Sequence, residues 1–534
     1  MFLLVMTKAS LLKIDISLKR VQTFIFEVPR LKAMLGANAL VGQTMRHDLS
    51  KLAIDCGSEP LDGASAPAAD TTDPLQPNDQ FDRDDPQALY GKGILTRDGG
   101  HFTALFADDA GAENFKSAAE ALLSKNLPGV LFDIDARPLG SGNLEEVGRK
   151  AEALEAHLLE LPVLQICQET GQEVASEQSD KGLWTARSVW HRTVASEKFR
   201  KGKTRDIIGL MQHQLGLTQA SGWQAPEDLE NLCAGQYLAL IHADGNGVGK
   251  RYKDWARKAP DGIGAIEREA HGEAFYHSMR VAVRKAVVQA LEKIFANRKD
   301  VRPYEVLMLG GDDLLIACRA DKALPFALAY AGALKEIGLV DETPLDVGIG
   351  VAIAKASYPL HRLHALAEAL AASAKRLHRA KPSRGSVIDW QVVTNSWFDD
   401  VAQARRAADC RRYTVDGKEE SVVLSRRPYP VLNDDGLEGL LGAVKDLDEK
   451  QDQAQAEGEE GAARSPLRAL RAAFESGRRS GQMAFDRLDP KVRQILAGGN
   501  GDSPWTPLAG DHCLTRVLDI IDLREISRLG KWKK

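Results

Sequence analysis

Three acidic residues carry the first suggestion of chemistry in this chain. Asp312 and Asp313 stand side by side in Gly310-Gly311-Asp312-Asp313, and Asp244 ends an apolar run, 236–244 (QYLALIHAD), that leads straight into Gly245-Asn246-Gly247-Val248-Gly249-Lys250. Adjacent carboxylates repel one another unless a cation lies between them, and Mg2+ or Mn2+ bound by a few carboxylates beside phosphate oxygens supplies one. Three such acids suit a pair of ions about 3.5 to 4 Å apart, one activating an attacking oxygen and the other steadying the leaving one. Gly245, Gly247 and Gly249, with Asn246 between them, let backbone N–H groups approach a triphosphate, and Lys250 adds a point charge. This is not a P-loop, which needs Ser or Thr after the lysine where Arg251 stands. Taken singly, each stretch is equally a solvated Gly-rich turn; it is their pairing that points to a site.

These residues need elements to hold them. Glu305–Leu309 and Leu314–Cys318 are apolar runs of strand length, so Gly310, Gly311, Asp312 and Asp313 read as the tip of a hairpin. If the strand ending at Asp244 lies beside that hairpin, all three carboxylates meet. Along 361–380, Leu363, Leu366, Leu370 and Leu377 share one side of a helix, which places Lys375 roughly opposite, free to meet a phosphate or simply a surface lysine. His361 and His364, three apart on that helix, read as a surface pair because no third ligand is near in sequence.

The order of elements occurs twice. Residues 11–17 read as a strand, 21–53 as a long helix, 93–107 as a hairpin around Asp98-Gly99-Gly100, 111–125 as a helix and 130–136 as a strand. Residues 236–244, 272–297, 306–317, 323–337 and 345–354 repeat strand, helix, hairpin, helix, strand. Two copies of one α+β unit follow, and the first hairpin lacks the acids, so the first copy is expected to be silent. The tract 58–86, rich in Pro, Asp, Ala and Gly, reads as a mobile insertion. Residues 143–232 read as largely helical with a basic, Trp-containing middle. Residues 396–534 read as a mainly helical end domain, with 446–461 a solvated charged segment and a solvated arginine face over 464–493.

Composition sets outer bounds. A chain of 534 residues exceeds one ordinary core, and 44% hydrophobic with 27% charged residues describes a globular protein. A formal net charge of −5 argues against a surface built wholly for nucleic acid. Six scattered cysteines suit a reducing, cytoplasmic setting. The opening MFLLVM is too short and lacks the flanks of a signal peptide, and no run reaches membrane-spanning length. No Gly-x-Ser-x-Gly, His-Glu-x-x-His or Cys-x-x-Cys occurs, so hydrolase, zinc-protease and thioredoxin readings have no support.

The strand end Asp244-Gly245-Asn246-Gly247, the GGDD hairpin, the Val347-Gly348-Ile349-Gly350 strand and the Ala367-Glu368-Ala369-Leu370 to Ser373-Ala374-Lys375 helix together resemble the second palm of the polymerase-cyclase subunit of type III CRISPR effectors. More remotely they are similar to GGDEF and class III nucleotide cyclases. Residues 21–26 (VQTFIF) and 35–38 (LGAN) resemble that subunit's first, degenerate palm. The resemblance implies two ferredoxin-like palms with helical inter-palm and C-terminal domains, divided at 1–142, 143–232, 233–395 and 396–534. It also implies ATP as substrate, cyclic oligoadenylate and pyrophosphate as products, and antiviral defence as the setting. Metal carboxylates then fall on Asp244, Asp312 and Asp313, and the phosphate lysine on Lys375. RNA and CRISPR-type effector subunits become candidate partners, and an oligomer stays open.

Two departures shape that expectation. The family's HD nuclease is represented only by His47-Asp48, and its four-Cys zinc site only by Cys167, so a compact relative without nuclease or structural zinc is expected. The alternatives are a mono- or dinucleotide cyclase, or a non-catalytic nucleotide-sensing scaffold of an RNA–protein complex.

Overall fold

Apolar side chains at Ile14, Ile16 and Leu18 face one side of strand β1 (Leu12–Lys19) and are buried there, the period-two pattern that commits a strand to a core. The chain continues through α1 (Val21–Phe26), α2 (Leu31–Gln43), α3 (Leu49–Asp55), α4 (Pro86–Tyr90), β2 (Ile94–Thr96), β3 (His101–Phe106), α5 (Asp109–Asn126) and β4 (Leu131–Pro138). The sheet order is β2-β3-β1-β4. The single helix expected over 21–53 is instead three helices. Between Phe26 and Leu31 the sequence holds a proline at 29, a residue type with no N–H to continue a helix, and a π-helical turn, Thr44–Asp48, separates α2 from α3.

The computed structural model describes residues 11–28, 30–61, 86–139, 165–171, 173–179, 182–200, 206–214, 223–296, 301–393, 405, 409–415, 418–456, 464–498, 503–508 and 512–529. Most of the expected 58–86 insertion, the MFLLVM opening and the basic run 201–205 therefore lie outside the described residues.

Between the two repeats, a short hairpin of β5 (Ala175–Gln178) and β6 (Trp184–Ala186) precedes α6 (Arg187–Arg200), α7 (Ile207–Gln214) and α8 (Leu229–Leu232). The hairpin adds two short strands to a segment read as largely helical. Its strands are polar and short, so they give no periodic apolar signal.

The second repeat is β7 (Tyr237–Gly245), α9 (Val248–Ala256), α10 (Ala265–Ile294), β8 (Tyr304–Gly310), β9 (Asp313–Arg319), α11 (Ala320–Lys335), β10 (Val347–Lys355), α12 (Leu360–Ala380) and β11 (Val387–Val392). Its strands run β10-β7-β9-β8, the same arrangement as β4-β1-β3-β2 in the first repeat. Both are ferredoxin-like palms, and the duplication read in the sequence is a duplication of topology. Helix α12 lies tight against β10, because a Cβ at Gly350 would stand 2.0 Å from the Ala367 carbonyl oxygen. Only glycine permits that approach.

The C-terminal region comprises β12 (Cys410–Val415), β13 (Lys418–Val423), β14 (Tyr429–Pro430), α13 (Leu437–Ala456), α14 (Arg464–Glu475), α15 (Arg478–Asp486), α16 (Pro490–Ala497), β15 (Thr506–Pro507), β16 (His512–Leu514) and α17 (Val517–Ile526). Besides its helices it holds a sheet, β12-β13-β16-β15, which sequence reading did not anticipate, while β14 joins β11 on the palm sheet. The stretch expected to be solvated from 446 is helical through Ala456, with Leu447 buried and Asp448 paired to Arg524 and Arg528 at 2.7 and 2.6 Å. No described helix is long and apolar enough to cross a membrane.

The palms are joined by buried charge. Asp98, in the first hairpin, takes both oxygens to Arg46 at 2.9 and 2.8 Å and accepts from Arg284 of α10 at 3.1 Å, with Arg280 of α10 at 3.6 Å. The first hairpin, which lacks the paired acids of GGDD, thus clamps the second palm through Asp98.

Candidate active site

Pairing of β8 with β9 sets Gly310 opposite Asp313, leaving Gly311 and Asp312 as a two-residue turn. Gly311 has φ 56°, a left-handed value that glycine adopts without strain at the first central position of such a turn. The hairpin lies antiparallel to β7, with Ala243 paired to Leu314, so Asp244 falls beside Asp313. Oxygens of Asp244, Asp312 and Asp313 lie within 4.8 Å of one another, making these three a possible cation-binding group. Gly245 is the hinge of this arrangement: a Cβ there would lie 2.7 Å from Asp312 Oδ2.

The three carboxylates are only partly shielded, Asp244 and Asp313 being 33% and 34% exposed. Burial and then the neighbouring Asp244 push Asp312 up to about 6. The same causes in the same order, joined by Asp312, push Asp313 up to about 8. Such mutual repulsion is what a divalent ion relieves, so the donor set fits a hard, oxygen-seeking cation such as Mg2+ or Mn2+.

Lys375 differs from expectation. It does not stand apart from the core face of α12; its Nζ donates to Asp244 Oδ2, and its stem crosses β10 at Gly348, where a Cβ would meet Lys375 Cγ at 2.6 Å. The absence of a side chain at 348 opens the path, which helical spacing alone does not reveal. Lys250 is exposed on the first turn of α9 with Gly247 and Gly249. Asn246 is buried, its backbone N–H donating to Asp346 O at 2.7 Å while its side-chain Nδ2 has no hydrogen-bond partner. Arg251 is tied to Asp341 at 2.7 Å and is not a phosphate ligand here.

Other residues reach the site that the sequence reading passed over. Gln22 of α1, in the first palm, places Nε2 3.5 Å from Asp313 Oδ2. His242, two residues before Asp244 on β7 and so on the same face, is 6% exposed, with Nε2 4.0 Å from Asp313 Oδ1 and neither ring nitrogen hydrogen-bonded. Strand periodicity could have found it; nothing local announces Gln22. His364 is buried rather than a surface residue, stacked 4.3 Å from Phe26 of α1 and 6.1 Å from His242. Burial and the His242 ring lower it to about 4. His47 Nδ1 lies 3.0 Å from Asp48, whose other oxygen accepts from Asn126, and Cys167 is a buried free thiol.

A ferredoxin-like sheet with acids at a hairpin tip and a Gly-rich strand end beside them is the architecture of a palm domain. Residues 237–383 match the family model described as Cas10/Cmr2, second palm domain. Among solved structures, the chain is similar to the Csm1-Csm4 cassette in complex with cA4, at 11% identity and TM-score 0.40, covering 85% of this chain and 63% of that one. It is similar to the cassette with cA3 at 12% identity and TM-score 0.45, covering 98% and 70%. For the complex with pppApA the values are 11%, 0.46, 98% and 70%. Against the cA4 complex the chain therefore spans less than two thirds of the other chain's length. No curated protein matches the sequence.

Proposed function

We propose that the second palm is a nucleotidyltransferase that joins ATP through 3′–5′ bonds into a cyclic oligoadenylate-type product, releasing pyrophosphate. The observation that carries this is the convergence of Asp244, Asp312 and Asp313 inside a segment matching the Cas10/Cmr2 second palm. The attacking ribose 3′-oxygen bonds to the α-phosphorus of a second nucleotide, the bond to the bridging oxygen breaks, and pyrophosphate leaves with its electron pair. A divalent ion at the three carboxylates, when bound, acidifies the attacking hydroxyl and neutralises charge on the leaving phosphates. Asp244 and the hairpin acids hold it, and a hairpin carboxylate takes up the hydroxyl proton. Gly245, Asn246, Gly247, Gly249 and Lys250 seat the triphosphate at the start of α9, and Gly310 and Gly311 keep the hairpin tip slim enough to admit it. Lys375 holds Asp244 in place and, on ligand entry, offsets phosphate charge.

The first palm serves as the partner wall, its α1 reaching Asp313 through Gln22. The solved Csm1-Csm4 complexes contain ATP and oligoadenylates. The partners proposed for this chain are ATP and RNA or CRISPR-type effector subunits, and the free state of all six cysteines agrees with a cytoplasmic setting.

The test is mass spectrometry of products after incubation with each NTP, Mg2+ or Mn2+, with and without RNA. Oligoadenylates from ATP support the proposal. Cyclic mono- or dinucleotides would move it to the simpler cyclase reading, and unchanged ATP with retained binding to the nucleotide-sensing scaffold.

A further inference from the structure

At the seam between the second palm and the C-terminal region lies a cavity of about 420 Å³ lined by Arg384, Arg426, Arg427, Tyr429, Asn433 and Asp435. That size falls in the range of small-ligand sites, roughly 300 to 1,000 Å³. Its charge is unbalanced for a structural reason. The acids beneath it are already committed: Asp519 accepts from Ser425 Oγ at 2.7 Å, the Arg426 backbone N–H at 2.8 Å and Tyr429 OH at 2.6 Å. Arg427 lies 3.5 Å from both Asp519 and Asp409 and donates to the Trp390 carbonyl at 2.9 Å.

Arg427 is thereby neutralised, whereas the guanidinium groups of Arg384 and Arg426 have no hydrogen-bond or ion-pair partner among the described residues. Arg426 rests only 5.8 Å over the Tyr429 ring. Burial chiefly lowers the nearby Arg516, with Arg426 adding to it against the opposing pull of Tyr429 and Asp435. Asp435, exposed at the mouth, is the one acid lining the cavity.

We propose that this cavity binds a phosphate-bearing small molecule, with the forks of Arg384 and Arg426 gripping the phosphate. Guanidinium forks match phosphate geometry with two parallel N–H···O bonds, and two unneutralised forks at one cavity repel until an anion joins them. Arg427, fixed from below by two carboxylates, makes the floor rigid. The site has a physical route to the palm: Ser386, two residues after Arg384, accepts at its carbonyl from the Val431 N–H and at its Oγ from the Val347 N–H, and the carbonyl of Asp346, next to Val347, accepts from the Asn246 N–H. It is separate from the carboxylate site and does not rest on the reaction proposed there.

Calorimetric titration of the full chain carrying Asp312→Ala and Asp313→Ala, with inorganic pyrophosphate and with ATP as probes in the absence of divalent metal, removes metal-assisted binding at the carboxylates, and the arginine substitutions then assign what binding remains to this cavity. We expect at least one probe to bind and its affinity to fall tenfold or more when Arg384→Gln and Arg426→Gln are added. The two probes distinguish a bare phosphate from a nucleotide. Hydrogen exchange should slow at 425–433 with ligand and remain unchanged in the arginine variant. Because both arginines are part-exposed, melting curves of the single and double variants should overlay the parent's, and either single variant can stand in for the pair. Failure of both probes to bind, or binding indifferent to the arginines, overturns the proposal.

Discussion

Lys375 of α12 donates through Nζ to Oδ2 of Asp244, the carboxylate one residue before the end of β7. The same acid thus faces a fixed ammonium on one side and the two hairpin acids on the other. A cation entering the carboxylate cluster competes with Lys375 for Asp244, and an incoming phosphate competes with Asp244 for Lys375. In the proposed reaction this ion pair would hold both groups poised until metal and nucleotide arrive together.

Lys375→Met separates those roles. Removing one electrostatic contact to the developing charge should lower pyrophosphate release on the order of 10²-fold. Binding of Mn2+, followed by electron paramagnetic resonance, should be unchanged or tighter, because a competitor for Asp244 is gone. A variant that lost both to the same degree would mark Lys375 as merely structural.

The carboxylates also set a pH dependence. Folding raises Asp312 from 3.8 to about 6 and Asp313 from 3.8 to about 8. Across that window the folded protein holds more protons than the unfolded chain, so this contribution to stability is full in acid and is lost as pH rises through the folded values. In chelator, the melting temperature should fall between about pH 5 and about pH 8, and the fall should flatten in Asp313→Asn. Solvent screening at these part-exposed groups keeps the effect to about 1 kcal/mol. Mg2+ should restore the loss most at the upper end, and its affinity should rise with pH.

Two glycines one pleat apart should respond differently to the same methyl group. At Gly350 a Cβ meets the Ala367 carbonyl at 2.0 Å and the Ala371 nitrogen at 2.5 Å, both backbone. Gly350→Ala should therefore cost roughly 1–3 kcal/mol or more in denaturant unfolding, as helix α12 is pushed off the sheet. At Gly348 the nearest atom is the flexible stem of Lys375. Gly348→Ala should lose turnover out of proportion to stability, and equal losses in both variants would count against the placement of Lys375.

Asp98→Asn tests the clamp between the palms. It leaves Arg46, Arg280 and Arg284 around a neutral amide, and breaking a buried charge cluster from one side costs about 3–5 kcal/mol. We expect a lower melting temperature and reduced turnover although Asp98 touches no substrate. Unchanged stability would show that the first hairpin is not what holds the palms together.

The features legible in the sequence were those encoded locally. The GGDD hairpin stands between two apolar strands and needs nothing distant to be recognised, and the duplicated order of elements followed from periodicity. Contacts between distant residues were not legible. The Asp98 clamp joins residues up to 186 positions apart, and the Gln22 contact with Asp313 spans 291. Helical spacing alone puts Lys375 on the wrong side of α12, because the decisive residue, Gly348, is on another element and acts by what it lacks. The break in the 21–53 helix, by contrast, was available in Pro29 and was outweighed by the apolar spacing around it.

The central claim is that Asp244, Asp312 and Asp313 act as one unit in nucleotide transfer. Its most direct test is pyrophosphate release from α-labelled ATP by the wild-type chain and by Asp312→Ala/Asp313→Ala, with Mg2+ or Mn2+ and with or without RNA. The account predicts metal-dependent release by the wild type and a loss of at least about 10³-fold in the variant. Equal rates from the two proteins would contradict it.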